Sequence, residues 1–296
     1  MTPGIESAAL VALLRRGDRP WHLYADLIEE TGSALAVLER DDDAHRQQSL
    51  FGGAAPDREL RLQDAADLIA GWHAAGMHLI TVLDPDYPEN LRGVHDRPPL
   101  IFAAGRLHPR DARSVAVVGT RNASAAGKSS ARAIAEHLVE HQYTVVSGLA
   151  AGIDTAAHAA ALSRGGRTVA VIGTGLRRAY PPQNAALQRR LASECAVISQ
   201  FWPDAPPSRR SFPMRNAVMS GLTLATVVVE ASETSGARTQ ARLALAHGRP
   251  VLLVDSLLQQ PWASDCASRP GAYVVRSPAE VTSIVDRLTS PGALTA

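Results

Sequence analysis

The stretch SVAVVGTRNASAAGKSS, residues 114–130, passes from a continuous apolar run through a glycine turn into a segment with helical spacing. The same order recurs to the end of the chain. Strands are predicted at SVAVVG (114–119), TVVSG (144–148), TVAVIGTG (168–175), AVISQ (196–200), TLATVVVEA (223–231), PVLLVD (250–255) and AYVV (272–275). Helices are predicted around 125–141, 154–164, 183–193 and 236–247, and over PAEVTSIVDRLTS (278–290). Apolar strands without alternation are typical of a parallel sheet covered on both faces. The pattern therefore predicts an α/β fold with an extended, Rossmann-like, doubly wound and mostly parallel sheet.

The part of the chain before this sheet is predicted to be helical. It places apolar residues at helical spacing, in runs that end near glycines. Two β-rich runs follow, HLITV (78–82) and PLIFAAG (99–105), while the polar segment 41–57 contains Gly and Pro and is predicted to be an exposed loop. We therefore expect a small helical domain over residues 1–75 and a Rossmann-like domain over residues 76–296.

Composition narrows the class of protein. With 46% hydrophobic residues among 296, the chain can bury a substantial core, which excludes an intrinsically disordered protein. No apolar run approaches the roughly 20 residues of a membrane span, so no membrane partner is expected, and the N-terminus lacks the basic region of a signal peptide. Cys195 and Cys266 are too few for a disulfide framework or a zinc cluster. Two reduced thiols and a cytoplasmic location are expected.

The formal net charge is +1, so a surface for an acidic polymer has to be a local patch. Lys128 is the only lysine among 30 basic residues. Arginine suits bidentate phosphate contacts and stacking on bases better than lysine does. The global charge therefore does not exclude a nucleic-acid site.

Ligands of such sheets bind beyond the carboxyl ends of the strands, so the loops at those ends are the candidate sites. The first loop, GTRNASAAGKSS (119–130), is not a Walker A motif, because Asn122 stands where its first glycine should be. The loop still fits an anion. Gly119 permits close backbone approach, Arg121 projects from the turn, and Ser124 suits a helix N-cap. The alternative is a turn that carries a surface arginine.

The second loop, within SGLAAGIDTAAHAAAL (147–162), is framed by Gly148 and Gly152. Asp154 can cap the following helix, and His158 lies one helical turn later on the same face. Such a pair could serve acid–base catalysis or bind a metal. Without a third ligand it favours a structural hydrogen bond, and no metal site is predicted.

The third loop, GTGLRRAYPPQN (173–184), argues against a dinucleotide cofactor. Arg178 occupies the position of the third glycine in the dinucleotide-binding fingerprint. No acidic residue is suitably placed at the end of the second strand to hold a ribose. No cofactor is therefore predicted.

The segment FWPDAPPSRRSFPMRNAVMSGL (201–222) is predicted to be an irregular loop that binds a single nucleic-acid strand. It interleaves aromatic and basic side chains, namely Phe201, Trp202, Phe212, Arg209, Arg210 and Arg215. Aromatic faces stack on bases, and guanidinium groups contact phosphates. Further along, Ser235, Gly236 and Thr239 are placed where a helix N-terminus can hold a second phosphate. The alternative is a loop whose aromatic residues pack inward.

Five motifs occur in a fixed order: GTRNAS, SGLAAGIDTAAH, TVAVIGTGL…YPPQN, FPMRNAVMSGL and VVVEASETSGARTQARLALAHGRPV. In this series the chain resembles the DNA-processing protein A family, also called DprA or Smf. DPDYPENL (84–91) fits the same pattern, and the N-terminus resembles that family's sterile-alpha-motif-like or helix-hairpin-helix-like leader. The resemblance implies a cytoplasmic, non-enzymatic homodimer that binds single-stranded DNA. It further implies that the protein protects incoming DNA and loads a RecA-type recombinase onto it in natural transformation.

The resemblance also implies site residues. DNA and phosphate contacts are expected from matching positions in the loops, namely Gly119, Arg121, Ser124, Gly148, Gly152, Arg215, Asn216, Ser235, Gly236 and Thr239, while Asp154, His158 and Glu230 would shape the loops. The chain departs from the family at Ser199-Gln200, where SE is usual, and at Arg215–Met219, where RNRII is usual. A C-terminal winged helix is not expected.

Two other classes of function stay open. A nucleotide phosphoribohydrolase of related architecture would need a carboxylate soon after its glycines, and GARTQARLAL (236–245) offers none. A sensor of a nucleotide signal, for instance in phage defence, would use the same loops. Binding of oligo-dT, of free nucleotides and release of base distinguish the three.

Overall fold

The computed structural model describes residues 4–48 and 58–289, and its first part is helical. These helices are α1 (Ile5–Arg16), α2 (Trp21–Thr31), α3 (Ala34–Gln48) and α4 (Arg58–Ala74). Glycines end the first two: Gly17 and Gly32 have φ of 74° and 72°, a left-handed conformation that costs glycine little. The predicted N-terminal helical region is therefore present.

The predicted loop at 41–57 is wrong in its first half, because α3 continues through residue 48. Residues 49–57 lie outside the described residues. Asp41 and Asp42 are buried, and Asp42 pairs with Arg16, Arg58 and Arg61 at 2.8, 3.1 and 2.7 Å. Burial acts to raise the pKa of Asp42, but the hydrogen bonds from Arg61 and Arg58 outweigh it and lower the pKa. These distant arginines allow an acidic run to be helical, and sequence spacing does not reveal them.

Nine strands form one mixed sheet in the described part of the chain. They are β1 (Met77–Thr81), β2 (Leu100–Gly105), β3 (Ser114–Val118), β4 (Thr144–Ser147), β5 (Thr168–Val171), β6 (Ala196–Ser199), β7 (Ala225–Val228), β8 (Val251–Val254) and β9 (Ala272–Val275). Their order is β1-β2-β6-β5-β4-β3-β7-β8-β9. Strands β3 to β9 pair in parallel, while the β1–β2 hairpin adds to β6 in antiparallel pairing. The predicted mostly parallel, Rossmann-like sheet is confirmed.

Helices connect the strands and cover both faces of the sheet. They are α5 (Glu89–Arg92), α6 (Ala125–Glu140), α7 (Ile153–Ser163), α8 (Ala185–Glu194), α9 (Ser211–Leu222), α10 (Gly236–Ala246), α11 (Pro261–Ala267) and α12 (Pro278–Thr289). Short 3-10 turns occupy Pro109–Ala112, Pro182–Asn184 and Asp255–Gln259. Helices α6, α7 and α12 share one hydrophobic core with β3, β4 and β7, and α9 and α10 pack into the core of the opposite face.

Helix α9 corrects the prediction of an irregular loop over 201–222. Pro213 lies in its first turn, where a missing backbone N–H costs no helical hydrogen bond. Ser208 and Ser211 exchange hydrogen bonds, with each backbone N–H donating to the other's hydroxyl at 3.0 and 3.1 Å. The prolines and serines taken for loop signals therefore mark the start of a helix.

The N-terminal helices share a core with the sheet. Trp202 lies between them, with ring centroids 5.3 Å from Trp21, 5.8 Å from Trp72 and 5.9 Å from Phe102. The division into domains 1–75 and 76–296 stays a prediction, since one hydrophobic cluster runs through both parts. None of the described helices combines the length and apolarity of a membrane span.

Candidate functional site

A cleft of about 440 Å³ opens beyond the carboxyl ends of β3 and β7. Here the strand order changes direction, because β3 lies between β4 and β7, and open α/β sheets bind ligands at such a point. The loop after β3, the loop after β7, helix α9 and the start of α10 line the cleft. The loop after β4 adds Ala150 and Asp154, so the fold brings together the four segments from which DNA or phosphate contacts were predicted.

Arg121 stands at the mouth of this cleft with an exposed side chain. Its guanidinium carbon lies 5.1 Å from the ring centroid of Phe212 and 6.0 Å from that of Tyr180. The two rings are 5.5 Å apart and tilted. This is a cation–π arrangement that presents a charge and two aromatic rings together.

Tyr180 was not predicted as a site residue. The Tyr-Pro-Pro sequence beyond a strand end in the loop 173–184 was the available signal. Tyr180 is 38% exposed, and with Arg121, Gly173 and Phe212 it lines a small pocket of about 70 Å³ beside the cleft. Gly173 permits this packing, because a Cβ there would lie 2.9 Å from Phe212 Cδ1.

The N-terminus of α6 differs from the predicted phosphate site. The Ser124 hydroxyl accepts from the Gly127 N–H at 2.9 Å, as an N-cap, and donates to the Glu230 carboxylate at 2.8 Å. The backbone N–H of Ser124 also donates to Glu230, at 3.2 Å. The protein's own carboxylate therefore occupies the position expected for an anion, and Glu230 joins the loop after β3 to the loop after β7.

Asp154 does not cap α7, which starts at Ile153 after Gly152. Its buried carboxylate accepts from the backbone N–H groups of Gly148 and Ala150 at 3.1 and 3.3 Å. Burial raises the pKa of Asp154, while the nearby charge of Arg215 acts to lower it. Asp154 thus shapes the loop after β4 from inside.

His158 forms no hydrogen bond with Asp154. Its Nδ1 lies 2.7 Å from Thr168 Oγ1, and the Thr168 hydroxyl donates to Val145 O at 2.7 Å. Because that hydroxyl proton is used, Nδ1 carries the proton of the imidazole. Burial lowers the pKa of His158 to about 3, so the ring is neutral at pH 7. This supports the structural interpretation of the pair.

Arg215 lies under the cleft with a buried side chain. Its guanidinium donates to Gly148 O, to Val171 O at 2.8 Å and to Asn216 Oδ1 at 3.0 Å. Burial lowers the pKa of this guanidinium, and Asp154 acts against that change. Arg215 therefore joins α9 to two strand ends and adds a positive charge to the floor of the cleft.

Asn216 continues this link to α10, since its Nδ2 donates to Gly236 O at 3.3 Å. Gly148 lies directly against the Arg215 guanidinium, where a Cβ would collide with it. Gly152 has φ of 82° and leaves no room for a Cβ beside Thr120 O. Like Gly119, which packs against Ile153 and the Glu230 backbone, these glycines approach protein atoms rather than an open space.

Other predicted residues lie elsewhere. Trp202 packs against the N-terminal helices, so the prediction that it stacks on bases is wrong. Phe201 is half-buried and does not line the cleft, while Arg209 and Arg210 are exposed on the segment leading into α9 and do not line it either.

The start of α10 remains open. The Ser235 hydroxyl caps the helix by accepting from the Ala237 N–H at 3.3 Å. A Cβ added at Gly236 would meet no neighbouring atom within 4 Å, so the space beside this residue is open. Thr239 instead faces a second cleft, of about 410 Å³, which α10 and α11 form with Arg238, Arg242 and Arg269. Two of the three residues predicted to hold a phosphate here therefore lie in the main cleft.

The cleft presents groups that suit the binding of an anion. An exposed arginine, aromatic rings and an open helix N-terminus suit an anion that is attached to a flat ring. Among the described residues that line it, none is His, Cys or Lys. Asp154 is the one carboxylate among these described lining residues, and the backbone N–H groups of Gly148 and Ala150 donate to it.

Comparison with known proteins identifies the protein family. The model of the family described as DNA recombination-mediator protein A matches residues 78–286. The chain belongs to the DNA recombination-mediator protein A family. The resemblance found from the motifs is thereby confirmed.

Related sequences extend this match. DNA processing protein DprA of Streptococcus pneumoniae is 38% identical over 203 residues, covering 68% of this chain and 72% of that one. A DprA described as putative from Mycobacterium tuberculosis is 36% identical over 295 residues, covering 91% and 75%. The chain spans 51% of the length of Protein Smf from Synechocystis, at 39% identity.

Solved structures agree on the fold. The X-ray structure of DprA from Streptococcus pneumoniae superposes with a TM-score of 0.73 at 29% identity, covering 96% of this chain and 98% of that one. DNA processing protein A of Helicobacter pylori gives a TM-score of 0.63 at 22% identity, covering 71% and 95%. The latter supports the fold alone.

Proposed function

We propose that the protein binds single-stranded DNA in the cleft between β3 and β7. The observation that carries this proposal is the position of the Arg121 guanidinium over the Phe212 and Tyr180 rings, beside the open N-terminus of α10. A nucleotide unit needs a cation or N–H groups for its phosphate and an aromatic surface for its base. Both lie within one cleft.

The binding mode follows from these contacts. One phosphate would accept from the Gly236 N–H and from the Ser235 hydroxyl, where the helix dipole favours negative charge. Arg121 would hold an adjacent phosphate, and a base would stack against Phe212 or Tyr180. Because paired bases cannot turn out to reach these rings, single strands are expected to bind better than duplex.

The family supports the choice of ligand. The relative from Helicobacter pylori is described for its single-stranded DNA binding mode, and the family model is that of a recombination mediator. We propose that this chain likewise presents bound strands to a RecA-type recombinase and acts as a homodimer. The free, buried thiols of Cys195 and Cys266 support a reducing compartment such as the cytoplasm.

The test is a fluorescence anisotropy titration with labelled oligo-dT, blunt duplex of equal length and labelled mononucleotide at one salt concentration. We expect saturable binding of oligo-dT, weaker binding of duplex and still weaker binding of the mononucleotide. Preference for the mononucleotide would favour the sensor, and release of base from nucleoside monophosphates would establish a hydrolase. Either result would contradict the proposal.

The partner and assembly proposals are tested separately. Light scattering on the eluting protein measures the mass in solution, and a mass of one chain at all concentrations would contradict the homodimer. A RecA-type recombinase added to strands coated with single-strand-binding protein should form filaments faster when this chain is present.

A further inference from the structure

A cluster of three metal-ligating side chains lies away from the cleft. His95, Asp96 and His247 place one ligand atom each within 4.8 Å of one another. His247 caps the C-terminal end of α10, whereas the cleft lies at the N-terminal end. A helix of 11 residues separates the two by about 16 Å. None of these residues lines the cleft.

Hydrogen bonds around His247 fix the direction of its ring. Its Nδ1 lies 2.9 Å from Ser220 Oγ, and that hydroxyl donates to Ala217 O at 3.1 Å. The Ser220 proton is therefore used, so Ser220 accepts from Nδ1–H of His247.

His247 Nε2 then faces the Asp96 carboxylate, 2.8 Å away. A ring nitrogen and a carboxylate oxygen aimed at each other suit a cation held between the two atoms. The His247 side chain has no exposed surface, so its two ring nitrogens are confined to these partners.

We propose that His95, Asp96 and His247 bind a divalent transition-metal ion of the zinc type. Two imidazoles and a carboxylate are a common donor set for Zn²⁺, and the exposed side of His95 leaves room for a water as fourth ligand. Ser220 acts as the outer partner that orients His247, as metal-bound histidines usually require.

Metal binding needs the ligand atoms to move. Bonds of about 2.0–2.2 Å at a tetrahedral angle place two ligand atoms roughly 3.3 Å apart, so the Asp96 oxygen would withdraw from His247 Nε2 by about 0.5 Å. The exposed His95 ring would turn to bring its ligand atom, which lies within 4.8 Å of the other two, to the same spacing. Asp96 is 31% exposed in its side chain and has room to move. The bound ion would join the segment around residues 95–96 to the ends of α9 and α10.

The experiment is isothermal titration of the untagged, chelator-treated full chain with zinc chloride, together with thermal denaturation in excess zinc. We expect one ion per chain and a higher melting temperature with zinc. His95→Ala, an exposed position that the fold does not need, should weaken zinc binding at least tenfold and abolish the rise in melting temperature. Asp96→Asn should weaken it as well.

Controls distinguish this site from other histidines. His137→Ala removes one member of the His137–His141 pair and should leave zinc binding unchanged, and magnesium, which prefers oxygen ligands, should not stabilise the chain. Absence of saturable zinc binding would overturn the proposal. Loss of binding in His137→Ala but not in His95→Ala would also overturn it.

Discussion

The Arg121 guanidinium lies 5.1 Å from the centroid of the Phe212 ring, although one residue follows β3 and the other begins α9. Gly173 lies beneath the ring and leaves it the space it needs. The cation and the aromatic surface are therefore in place before any ligand arrives. Such preorganisation reduces the entropy that binding has to pay for.

Phe212 is expected to stack on a base. Phe212→Leu should weaken oligo-dT binding by about 1–2 kcal/mol, roughly five- to thirtyfold, whereas Phe212→Tyr should keep most of the affinity. Met214→Ala is the matched control, because Met214 is 46% exposed on the same helix and does not line the cleft. Equal affinities for wild type and Phe212→Leu, measured by anisotropy, would exclude stacking at this ring.

Phosphate contacts make binding depend on salt. The logarithm of the association constant for oligo-dT should fall linearly with the logarithm of salt concentration, with a slope of about −0.7 for each phosphate neutralised. Contacts at Arg121 and at the start of α10 predict a slope of about −1.4. A slope indistinguishable from zero would contradict phosphate binding in the cleft.

The buried Arg215 is expected to matter for stability. Arg215→Met removes the donors of Gly148 O and Val171 O, and each unsatisfied buried carbonyl costs about 1–3 kcal/mol. The free energy of unfolding should fall by at least about 2 kcal/mol. Asp154→Asn should cost less, because the amide oxygen can still accept from Gly148 and Ala150. Urea denaturation of both variants checks the order, and the reverse order would contradict this account.

His158 should make the stability depend on pH. Its folded-state pKa of about 3 lies below its usual 6.5, so between these values the unfolded chain takes up a proton that the folded chain does not. The contribution of neutral His158 to the free energy of unfolding is therefore complete above pH 6.5 and is lost as the pH falls towards 3. As the pH falls through this window, the free energy of unfolding of wild type should decrease more steeply than that of His158→Gln, by up to about 1.4 kcal/mol per pH unit. Parallel stability curves for the two proteins would contradict a neutral, buried His158.

Much of the fold could be predicted from the sequence, because strands buried on both faces read as apolar runs such as 114–119 and 223–231. Errors arose where distant contacts decide local structure. Residues 41–48 are helical since arginines distant in the chain pair with Asp41 and Asp42, and α9 starts within a segment rich in Pro and Ser.

The sequence predicted where the candidate site residues lie better than it predicted which contacts they make. The loops at strand ends held Arg121, Ser235 and Gly236 as expected. Sequence could not reveal that Glu230 fills the N-terminus of α6, that Trp202 packs inward, or that Tyr180 joins Phe212. Each of these depends on a contact between residues far apart in the chain.

Arg121 tests the central claim most directly, by oligo-dT affinity at low salt for wild type, Arg121→Ala and Arg121→Lys. Loss of a charge-assisted phosphate contact should cost about 1.5–3 kcal/mol, roughly ten- to a hundredfold in affinity, without a change in melting temperature. Lysine should recover only part, because it lacks the planar fork. Arg40→Ala, which removes an exposed arginine from α3, should bind as wild type does. If Arg121→Ala binds oligo-dT as tightly as wild type, the cleft between β3 and β7 is not the DNA site.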